Sequence, residues 1–256
     1  MSLNISLQDY EKLNPKFEIE HNGKKMLFST PSTFTLWRAQ SIYEKEPWTL
    51  EWISEFSVGD ILLDVGANVG MYSIWAAITR NATVYSFEPE SMNYALLNKN
   101  ILMNNIMQNI KAFPCGLSNK NELTNFYMQD MRIGGSNHSA GEALNFNLEE
   151  MTPNFIQGCI TFTLDYLIDK KFIEVPDHIK IDVDGFEHRV IEGALKTLEN
   201  KKVKSLLIET NQNIKEHREI INTLKNFNFL FDIDQVKRAE RKQGTFKGVA
   251  EYVFKR

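Results

Sequence analysis

The stretch Asp64-Val-Gly-Ala-Asn-Val-Gly70 decides the fold of this chain. It follows the apolar run 61–63 and leads into 71–77, where apolar residues recur at helical spacing. The short β-branched run before it is typical of a parallel strand that is covered on both faces. Gly66 and Gly70 permit positive φ angles and carry no side chain that would keep a ligand away, and the next helix offers unpaired N–H groups. The pattern therefore predicts a strand, a ligand-binding turn and a helix.

The glycine spacing disfavours a dinucleotide and favours a cofactor with a positive charge. A dinucleotide-binding turn has the pattern G-x-G-x-x-G, whereas Asn68 occupies the central position here. Asp64, at the end of the strand, would repel a diphosphate but attract an ammonium group. Glu88 ends the next predicted strand at about the spacing at which an acid accepts ribose hydroxyl groups in nucleotide-binding folds. An ammonium at one acid and a ribose at the other describe S-adenosylmethionine.

Four segments resemble, in order and spacing, the FkbM-type S-adenosylmethionine-dependent methyltransferases. They are Asp64-Val-Gly-Ala-Asn-Val-Gly70, Phe87-Glu-Pro89, Thr163-Leu-Asp165 and Ile179-Lys-Ile-Asp-Val-Asp-Gly-Phe-Glu187, within residues 45–210. The resemblance implies an α/β fold of the Rossmann-like class I methyltransferase type. Such a fold has a mostly parallel seven-stranded sheet of order 3-2-1-4-5-7-6, with helices on both faces.

The expected cofactor contacts come from the turn, from the second strand and from the loop after the third strand. In methyltransferases of this architecture that loop flanks the adenine, although an ordinary turn is the alternative at this position. The full set of expected contacts is Asp64, Gly66, Asn68, Gly70, Glu88, Pro89, Gly116 and Leu117.

Length and composition favour one large domain with a small N-terminal extension. A chain of 256 residues that is 43% hydrophobic can bury one substantial α/β core. Residues 1–45 are the predicted extension, with a hairpin turn at Asn22-Gly23 and the start of a helical segment. We expect it to act as a lid or as the edge of a homo-oligomer, and residues 46–256 to form the methyltransferase domain. The aromatic residues of the helical segment pack in the core or form a pocket wall: Trp37, Tyr43, Trp48 and Trp52.

Charge and cysteine content exclude several classes of protein. The net charge of −4 comes from interspersed acidic and basic residues, so no patch suited to nucleic acid is expected. Two cysteines are too few for a disulfide framework or a four-cysteine zinc site, which favours a reducing cytoplasm. No run of about 18 apolar residues and no signal-peptide pattern is found, so we expect a soluble protein without a membrane span.

A second group of polar residues follows the predicted strand 178–182. Asp182 closes this strand, Asp184 lies two residues further, and Gly185 leads into a predicted helix over 187–198. Ligands of open parallel sheets bind beyond the carboxyl ends of the strands, so Asp182 is expected to act on the substrate. Asp184 is either a second catalytic carboxylate or the cap of the following helix.

Residues 129–158 are predicted to be a long polar insertion that begins with Gly134-Gly-Ser-Asn-His-Ser139. Long loops in compact domains carry function or are disordered, and a Gly-Gly-Ser element at this place also resembles the family. His138 is a candidate general base, metal ligand or substrate contact, and the alternative is a histidine that is merely solvated.

Oxygen-bearing side chains also follow the strand 205–209. An acid ending one strand and an acid plus asparagine after the next resemble the metal site of catechol-type O-methyltransferases, here Asp182, Glu209 and Asn211. Such ligands suit magnesium or a similar divalent ion. The alternative is a metal-free site in which Glu209 positions the substrate. Beyond it we expect a helix over 214–226 and a hairpin of strands 227–233 and 248–254. Its connecting loop carries basic residues, which are solvated or bind a substrate phosphate: Lys237, Arg238, Arg241 and Lys242.

The expected activity is transfer of a methyl group from S-adenosylmethionine to oxygen. An in-line displacement needs alignment of the acceptor, together with its deprotonation by a carboxylate, a histidine or a metal-bound group. The resemblance implies that the methyl acceptor is a hydroxyl of a sugar or of a secondary metabolite. The sugar would be free or nucleotide-linked and would belong to surface-polysaccharide synthesis. An aromatic-proline tetrad typical of N-methylation is absent after Ile181. The rival functions are an NAD(P)-dependent oxidoreductase and a non-catalytic nucleotide-binding protein.

Overall fold

The computed structural model describes residues 5–256, so residues 1–4 of the predicted N-terminal extension lie outside the described residues. The strands are β1 Lys16–His21, β2 Lys24–Ser29, β3 Ile61–Val65, β4 Thr83–Phe87, β5 Ile110–Phe113, β6 Gly116–Leu117, β7 Glu122–Met128, β8 His138–Ala140, β9 Phe155–Phe162, β10 His178–Ile181, β11 Ser205–Asn211, β12 Leu230–Phe231 and β13 Val249–Lys255. The helices are α1 Leu7–Lys12, α2 Thr33–Gln40, α3 Ile42–Lys45, α4 Pro47–Ser54, α5 Met71–Arg80, α6 Ser91–Met103, α7 Leu164–Asp169, α8 Glu187–Glu192, α9 Leu195–Glu199, α10 Lys215–Asn226 and α11 Ile233–Ala239.

A mostly parallel sheet of seven strands forms the centre of the fold. Its order is β5-β4-β3-β10-β11-β13-β12, which is 3-2-1-4-5-7-6 when these strands are numbered along the chain. Only β13 is antiparallel to its neighbours, β11 and β12. All five residues of β3 are buried, as expected for a central strand that is covered on both faces. The predicted methyltransferase-like α/β fold with a mostly parallel sheet is confirmed.

Helices cover both faces of this sheet because successive side chains of a strand point in opposite directions. Leu62 packs in a core cluster with apolar residues of α4, α5 and α6. Its neighbour Leu63 packs in a second cluster, with residues of α7, α8, α9 and α10. The two clusters fix the sheet between two helical layers and leave its carboxyl edge free to form a site.

The N-terminal hairpin packs against the same core as the main sheet. Asn22 and Gly23 have φ angles of 50° and 74°, as a type I′ turn requires, so the predicted hairpin is confirmed. Met26 and Phe28 are buried in the cluster that contains α6. The backbone N–H of Ser29 donates to the side chain of Asn100 on α6 at 2.8 Å. The role of this segment as a lid or oligomer edge stays a prediction.

The predicted polar insertion over 129–158 is wrong in part, because it contains strands of a second sheet. This sheet has the order β6-β9-β7-β8, and β7 pairs with β9 along seven residues. Its strand signal in the sequence is weak, since its buried apolar cluster consists of Phe126, Met128 and Cys159. The second sheet closes over the carboxyl edge of the first and carries His138 there.

The helical segment after β10 is interrupted, unlike the single helix predicted. The expected helix over 187–198 is two helices, α8 and α9, which separate at Gly193 and Ala194. A Cβ atom on Gly193 would lie 2.1 Å from the carbonyl oxygen of Ser118, so a side chain has no room at this crossing. The break therefore follows from a tertiary contact that local helical spacing does not indicate.

The C-terminal region also differs from the prediction. The expected strand over 227–233 is limited to β12, and the residues after it form α11, which Asp232 caps by accepting the N–H of Asp234. Lys237 and Arg238 therefore lie on a helix rather than in a loop. At α6, the N-cap is Glu90, whose carboxylate accepts two backbone N–H groups of the first turn.

Candidate functional site

A cavity of about 370 Å³ lies at the carboxyl ends of β3, β4, β10 and β11 and beneath β8. It collects most of the residues that the sequence singles out. Lining it are Gly66, Asn68, Glu88, Pro89, Gly116, Leu117, His138, Asp182, Asp184 and Glu209. Asp64, Gly70 and Asn211 are absent from its wall. The cavity is of the size and position expected for a small-molecule site in an open α/β sheet.

The glycine turn after β3 brings two backbone segments into close contact. Gly66 has a φ angle of 81°, and a Cβ atom on it would lie 1.9 Å from the carbonyl oxygen of Asp182. Asn68 also has a positive φ angle, of 50°, and its side-chain amide donates to the carbonyl of Gly135 at 2.7 Å. The turn is therefore fixed both to the exit of β10 and to the loop that carries His138.

Glu88 forms a buried acidic wall of the cavity at the end of β4. Its carboxyl oxygens accept the backbone N–H groups of Asn68 at 2.7 Å and Glu90 at 2.8 Å. Burial raises the pKa of Glu88 to about 8, although these two hydrogen bonds oppose the shift. A carboxyl group held rigidly in this way is suited to hydrogen bonds with the vicinal hydroxyls of a ribose, so the residue fits its predicted role.

Asp64 and Gly70 lie behind the turn rather than in the cavity wall. The Asp64 carboxyl accepts the hydroxyl of Ser73 at 2.6 Å and is 1% exposed. Burial raises its pKa. A Cβ atom on Gly70 would lie 2.4 Å from the Leu97 side chain, which packs against this end of α5. We therefore revise the expected role of both residues from direct cofactor contact to support of the turn.

Asp182 faces the cavity as part of a buried ion pair that the sequence analysis missed. Lys180 is 1% exposed, and its Nζ lies 3.0 Å from a carboxylate oxygen of Asp182. Burial alone would raise the pKa of Asp182, but the charges of Lys180 and Lys45 outweigh it and lower the pKa to about 2. Asp182 is therefore ionised at neutral pH. The signal for Lys180 was a lone lysine within an otherwise apolar, fully covered strand.

Asp184 fixes the loop that carries His138. One of its carboxyl oxygens accepts the backbone N–H of Asn137 at 2.7 Å and that of His138 at 3.3 Å. Burial and the nearby charge of Asp182 raise its pKa to about 7. The prediction that Asp184 caps the next helix is wrong, because α8 has no side-chain cap and Asp184 points to the second sheet instead.

His138 lies in the cavity wall with both ring nitrogens free. The residue is 7% exposed, and neither ring nitrogen has a hydrogen-bond partner among residues 5–256. Its ring meets Phe126 edge-on at 5.7 Å between centroids. Burial lowers the pKa of His138, so the imidazole is neutral at pH 7 and able to accept a proton. The alternative of a merely solvated histidine does not describe this position.

The expected metal ligands do not fit a metal site. The carboxylate of Asp182 is paired with Lys180, and a carboxyl oxygen of Glu209 lies 2.7 Å from Arg241. The Asn211 side-chain oxygen accepts the N–H of Asn213 at 3.0 Å, outside the cavity wall. Within the described part of the chain, no group of three or more His, Cys, Asp or Glu side chains is arranged to hold an ion. The three side chains are therefore engaged by other groups of the chain rather than arranged as metal ligands.

Helix α2 and the end of α3 add residues to the wall that the sequence analysis did not assign to the site. Phe34 and Arg38 line the cavity, and Arg38 donates to the carbonyl of Gly134 at 2.5 Å. Trp37 also lines it and is 45% exposed, whereas Trp52 is buried in the core. Both alternatives for the aromatic residues of this segment are thus realised, at different positions.

No helix within residues 5–256 combines the length and apolarity that crossing a bilayer demands.

Comparison with known proteins identifies the type of domain. The family model of the methyltransferase FkbM domain matches residues 64–231. Hexuronic acid methyltransferase AglP of Haloferax volcanii is 22% identical over 221 residues, which are 86% of this chain and 84% of that protein. Methyltransferase sdnD of Sordaria araneosa is 24% identical over 168 residues, 55% of this chain and 62% of that protein.

A solved structure supports the fold. The methyltransferase FkbM structure from Methylobacillus flagellatus KT superposes with a TM-score of 0.52 at 15% identity. The match covers 79% of this chain but 44% of that chain, so the present protein spans less than half of its length. This similarity concerns the arrangement of helices and strands alone.

Proposed function

The chain belongs to the FkbM methyltransferase family, and from this premise we propose that it is an S-adenosylmethionine-dependent O-methyltransferase acting on a sugar hydroxyl. The observation that carries the proposal is that one cavity joins the glycine turn and Glu88 to the free imidazole of His138. A relative named as a hexuronic acid methyltransferase supports a sugar, free or nucleotide-linked, over a secondary metabolite as the acceptor. The cytoplasmic location stays a prediction.

The cavity offers a suitable wall for each part of the cofactor. Glu88 would hold the ribose hydroxyls, and Gly116 with Leu117 would flank the adenine. Asp182 lies beside the glycine turn and stays ionised, so it would attract the positively charged end of the molecule. When bound, S-adenosylmethionine supplies an electrophilic methyl group on a sulfonium.

His138 is the best-placed residue to remove the proton of the acceptor hydroxyl. An efficient general base has a pKa near the operating pH and a free lone pair in reach of the substrate. The pKa of Asp182, about 2, makes that carboxylate a weak base. His138 is neutral and unbonded, and Asp184 holds its backbone in place. We therefore assign His138 as the base, Asp184 as a positioning residue, and Asp182 to electrostatic stabilisation.

Binding and transfer assays test the proposal directly. Calorimetry should show binding of S-adenosylmethionine, and labelled cofactor should transfer its methyl group to members of a panel of sugars and sugar nucleotides. Binding of NADH without binding of S-adenosylmethionine would favour the oxidoreductase instead. Binding of the cofactor without methyl transfer to any acceptor tested would favour the non-catalytic alternative.

Substitution of Glu88 tests the proposed ribose contact. The change Glu88→Gln should weaken S-adenosylmethionine binding by about 2–10-fold, since the raised pKa of Glu88, about 8, keeps the carboxyl neutral at pH 7 and a neutral hydrogen bond contributes about 0.5–1.5 kcal/mol. Calorimetric titration measures the affinity, and thermal unfolding checks that the turn is intact. Glu199→Gln, at an exposed position of α9, is the matched control and should bind like the unchanged protein. A folded Glu88→Gln protein with unchanged affinity would contradict the assignment.

A further inference from the structure

One end of the cavity brings cationic and anionic side chains together. We call it the acceptor end and define it by Lys45, Asp182, Glu209, Arg241 and Phe246. It lies near β11, three strand positions from β4 and Glu88, which is about 14 Å at the usual spacing of strands. Asp184 follows the intervening strand β10, and its carboxyl accepts the backbone N–H of His138.

Two lysines, Lys45 at this end and Lys180 behind Asp182, have a full carboxylate partner. Lys180 is paired with Asp182, and Lys45 contacts the buried carboxylate of Glu46. Lys45 and Lys180 help lower the pKa of Glu46 against the opposing effect of its burial, so this partner is ionised. The two ammonium groups are thus neutralised by neighbours within the chain.

Arg241 is the exception, because its guanidinium has a free edge. The Nη2 atom donates to Glu209 at 2.7 Å, and no acceptor among residues 5–256 is found for Nε or Nη1. The backbone of Arg241 is bonded to β13 through Val249 and Gly248 at 2.8 and 2.9 Å, which fixes the start of the side chain. Its guanidinium lies 5.2 Å from the centre of the Phe246 ring.

The carboxyl partner of Arg241 only partly neutralises it. Burial and repulsion by Asp182 raise the pKa of Glu209 to about 8, despite the attraction of Arg241. Near neutral pH Glu209 is therefore largely protonated, and Asp182 and Glu46 act on the guanidinium only through space, without a hydrogen bond to its free edge. A planar guanidinium with two free donors binds a carboxylate in a bidentate manner, and the neighbouring Phe246 ring offers an apolar face to a sugar ring.

We propose that the acceptor is an acidic sugar whose carboxylate binds the free edge of Arg241. This proposal rests on the proposed function, because it orients the same acceptor. Anchoring the carboxylate at Arg241 would hold the sugar in the cavity whose wall also contains His138. A neutral sugar would bring no anionic acceptor to this edge and would lack that charge-assisted hydrogen bond.

Binding measurements with free sugars test this proposal apart from turnover. Glucuronate and galacturonate should bind at least about tenfold more tightly than glucose and galactose in calorimetric titrations, as the loss of one charge-assisted hydrogen bond predicts. The change Arg241→Gln should remove this preference, and Arg241→Lys should retain part of it by keeping the charge. Arg238→Gln is the matched control, because Arg238 lies over the Trp48 ring and outside the cavity wall.

Each outcome of these titrations decides one of the two proposals. Equal affinity for acidic and neutral sugars, no binding of either uronate, or a preference that survives Arg241→Gln would overturn the role of Arg241. The titrations are run with and without S-adenosylhomocysteine. A protein that binds uronates through Arg241 but does not bind S-adenosylhomocysteine would contradict the proposed function while supporting the acidic ligand.

Discussion

Replacing His138 with asparagine should lower the rate of methyl transfer by about 10²–10⁴-fold, the usual contribution of a general base. Asparagine occupies a similar volume and can preserve the backbone hydrogen bond to Asp184, but it cannot take up a proton. Because the proposed cofactor contacts come from other residues, the affinity for S-adenosylmethionine should change little. Steady-state rates measured at saturating cofactor and acceptor would give kcat, and calorimetry would give the cofactor affinity.

The control for this substitution is another histidine outside the cavity. His21 lies on the N-terminal hairpin, 4.7 Å from the Trp75 ring, so His21→Asn should leave kcat unchanged within about twofold. A His138→Asn protein that keeps more than a third of the normal kcat would contradict the assignment. An equal loss in both variants would indicate a general effect on folding.

The pH dependence of kcat provides a second test of His138. Burial lowers its pKa, and Arg38 acts in the same direction, whereas Glu90 and Asp130 oppose the shift. A lowered pKa means that the neutral, proton-accepting form persists to lower pH. The acid limb of the rate profile should therefore have its midpoint below the ordinary histidine value of about 6.5. His138→Asn should abolish this midpoint.

The fold was predictable because its main signals are local. A covered apolar strand, a glycine turn and an amphipathic helix follow one another over residues 61–77, and acids mark the ends of further strands. Each of these features is set by neighbours within a few residues. The second sheet was not predictable in the same way, since β7 and β9 are far apart in sequence and bury few apolar side chains. Strand β8 pairs with β7 in this sheet, and this places the backbone of His138 beside Asp184.

Predicting which way the acids point requires knowledge of the register between the strands. Asp64 and Asp182 both seemed to end a strand in the sequence, yet Asp64 pairs with Lys180 and Val65 pairs with Ile181. Asp64 is therefore inside its strand, level with Lys180, whereas Asp182 lies one step beyond the last paired residue of its own strand. A difference of two positions puts one carboxyl behind the turn and the other in the cavity. Sequence spacing alone does not contain this information.

Replacing Lys180 with methionine should lower the free energy of unfolding by about 3–5 kcal/mol at pH 7, because it leaves a buried carboxylate without its cation. Lys180 lies 3.0 Å from Asp182, and Asp64 and Glu46 also act on its ammonium. Methionine keeps the volume and the contact with the Tyr72 ring while removing the charge. Urea unfolding followed by tryptophan fluorescence would measure the difference.

The matched control is an ion pair in which both side chains are exposed to solvent. Lys25 lies 2.8 Å from Glu18, and their side chains are 63% and 47% exposed, so Lys25→Met should have only a small effect on the free energy of unfolding. A cost for Lys180→Met that is no larger than the cost for Lys25→Met would contradict the structural role of the buried pair.

Lowering the pH should reduce the difference in the free energy of unfolding between the Lys180→Met protein and the unchanged protein. In the unchanged protein the pKa of Asp182 is lowered to about 2, so its stabilising contribution is present above the unfolded value of about 3.9 and is lost as the pH falls through 2. Without Lys180, burial should raise the pKa of Asp182 above its unfolded value, and the penalty then grows as the pH rises above about 4. The loss of stability should therefore be smaller at pH 4.5 than at pH 7. If acidification widens the difference instead, Asp182 is not the charge that Lys180 neutralises.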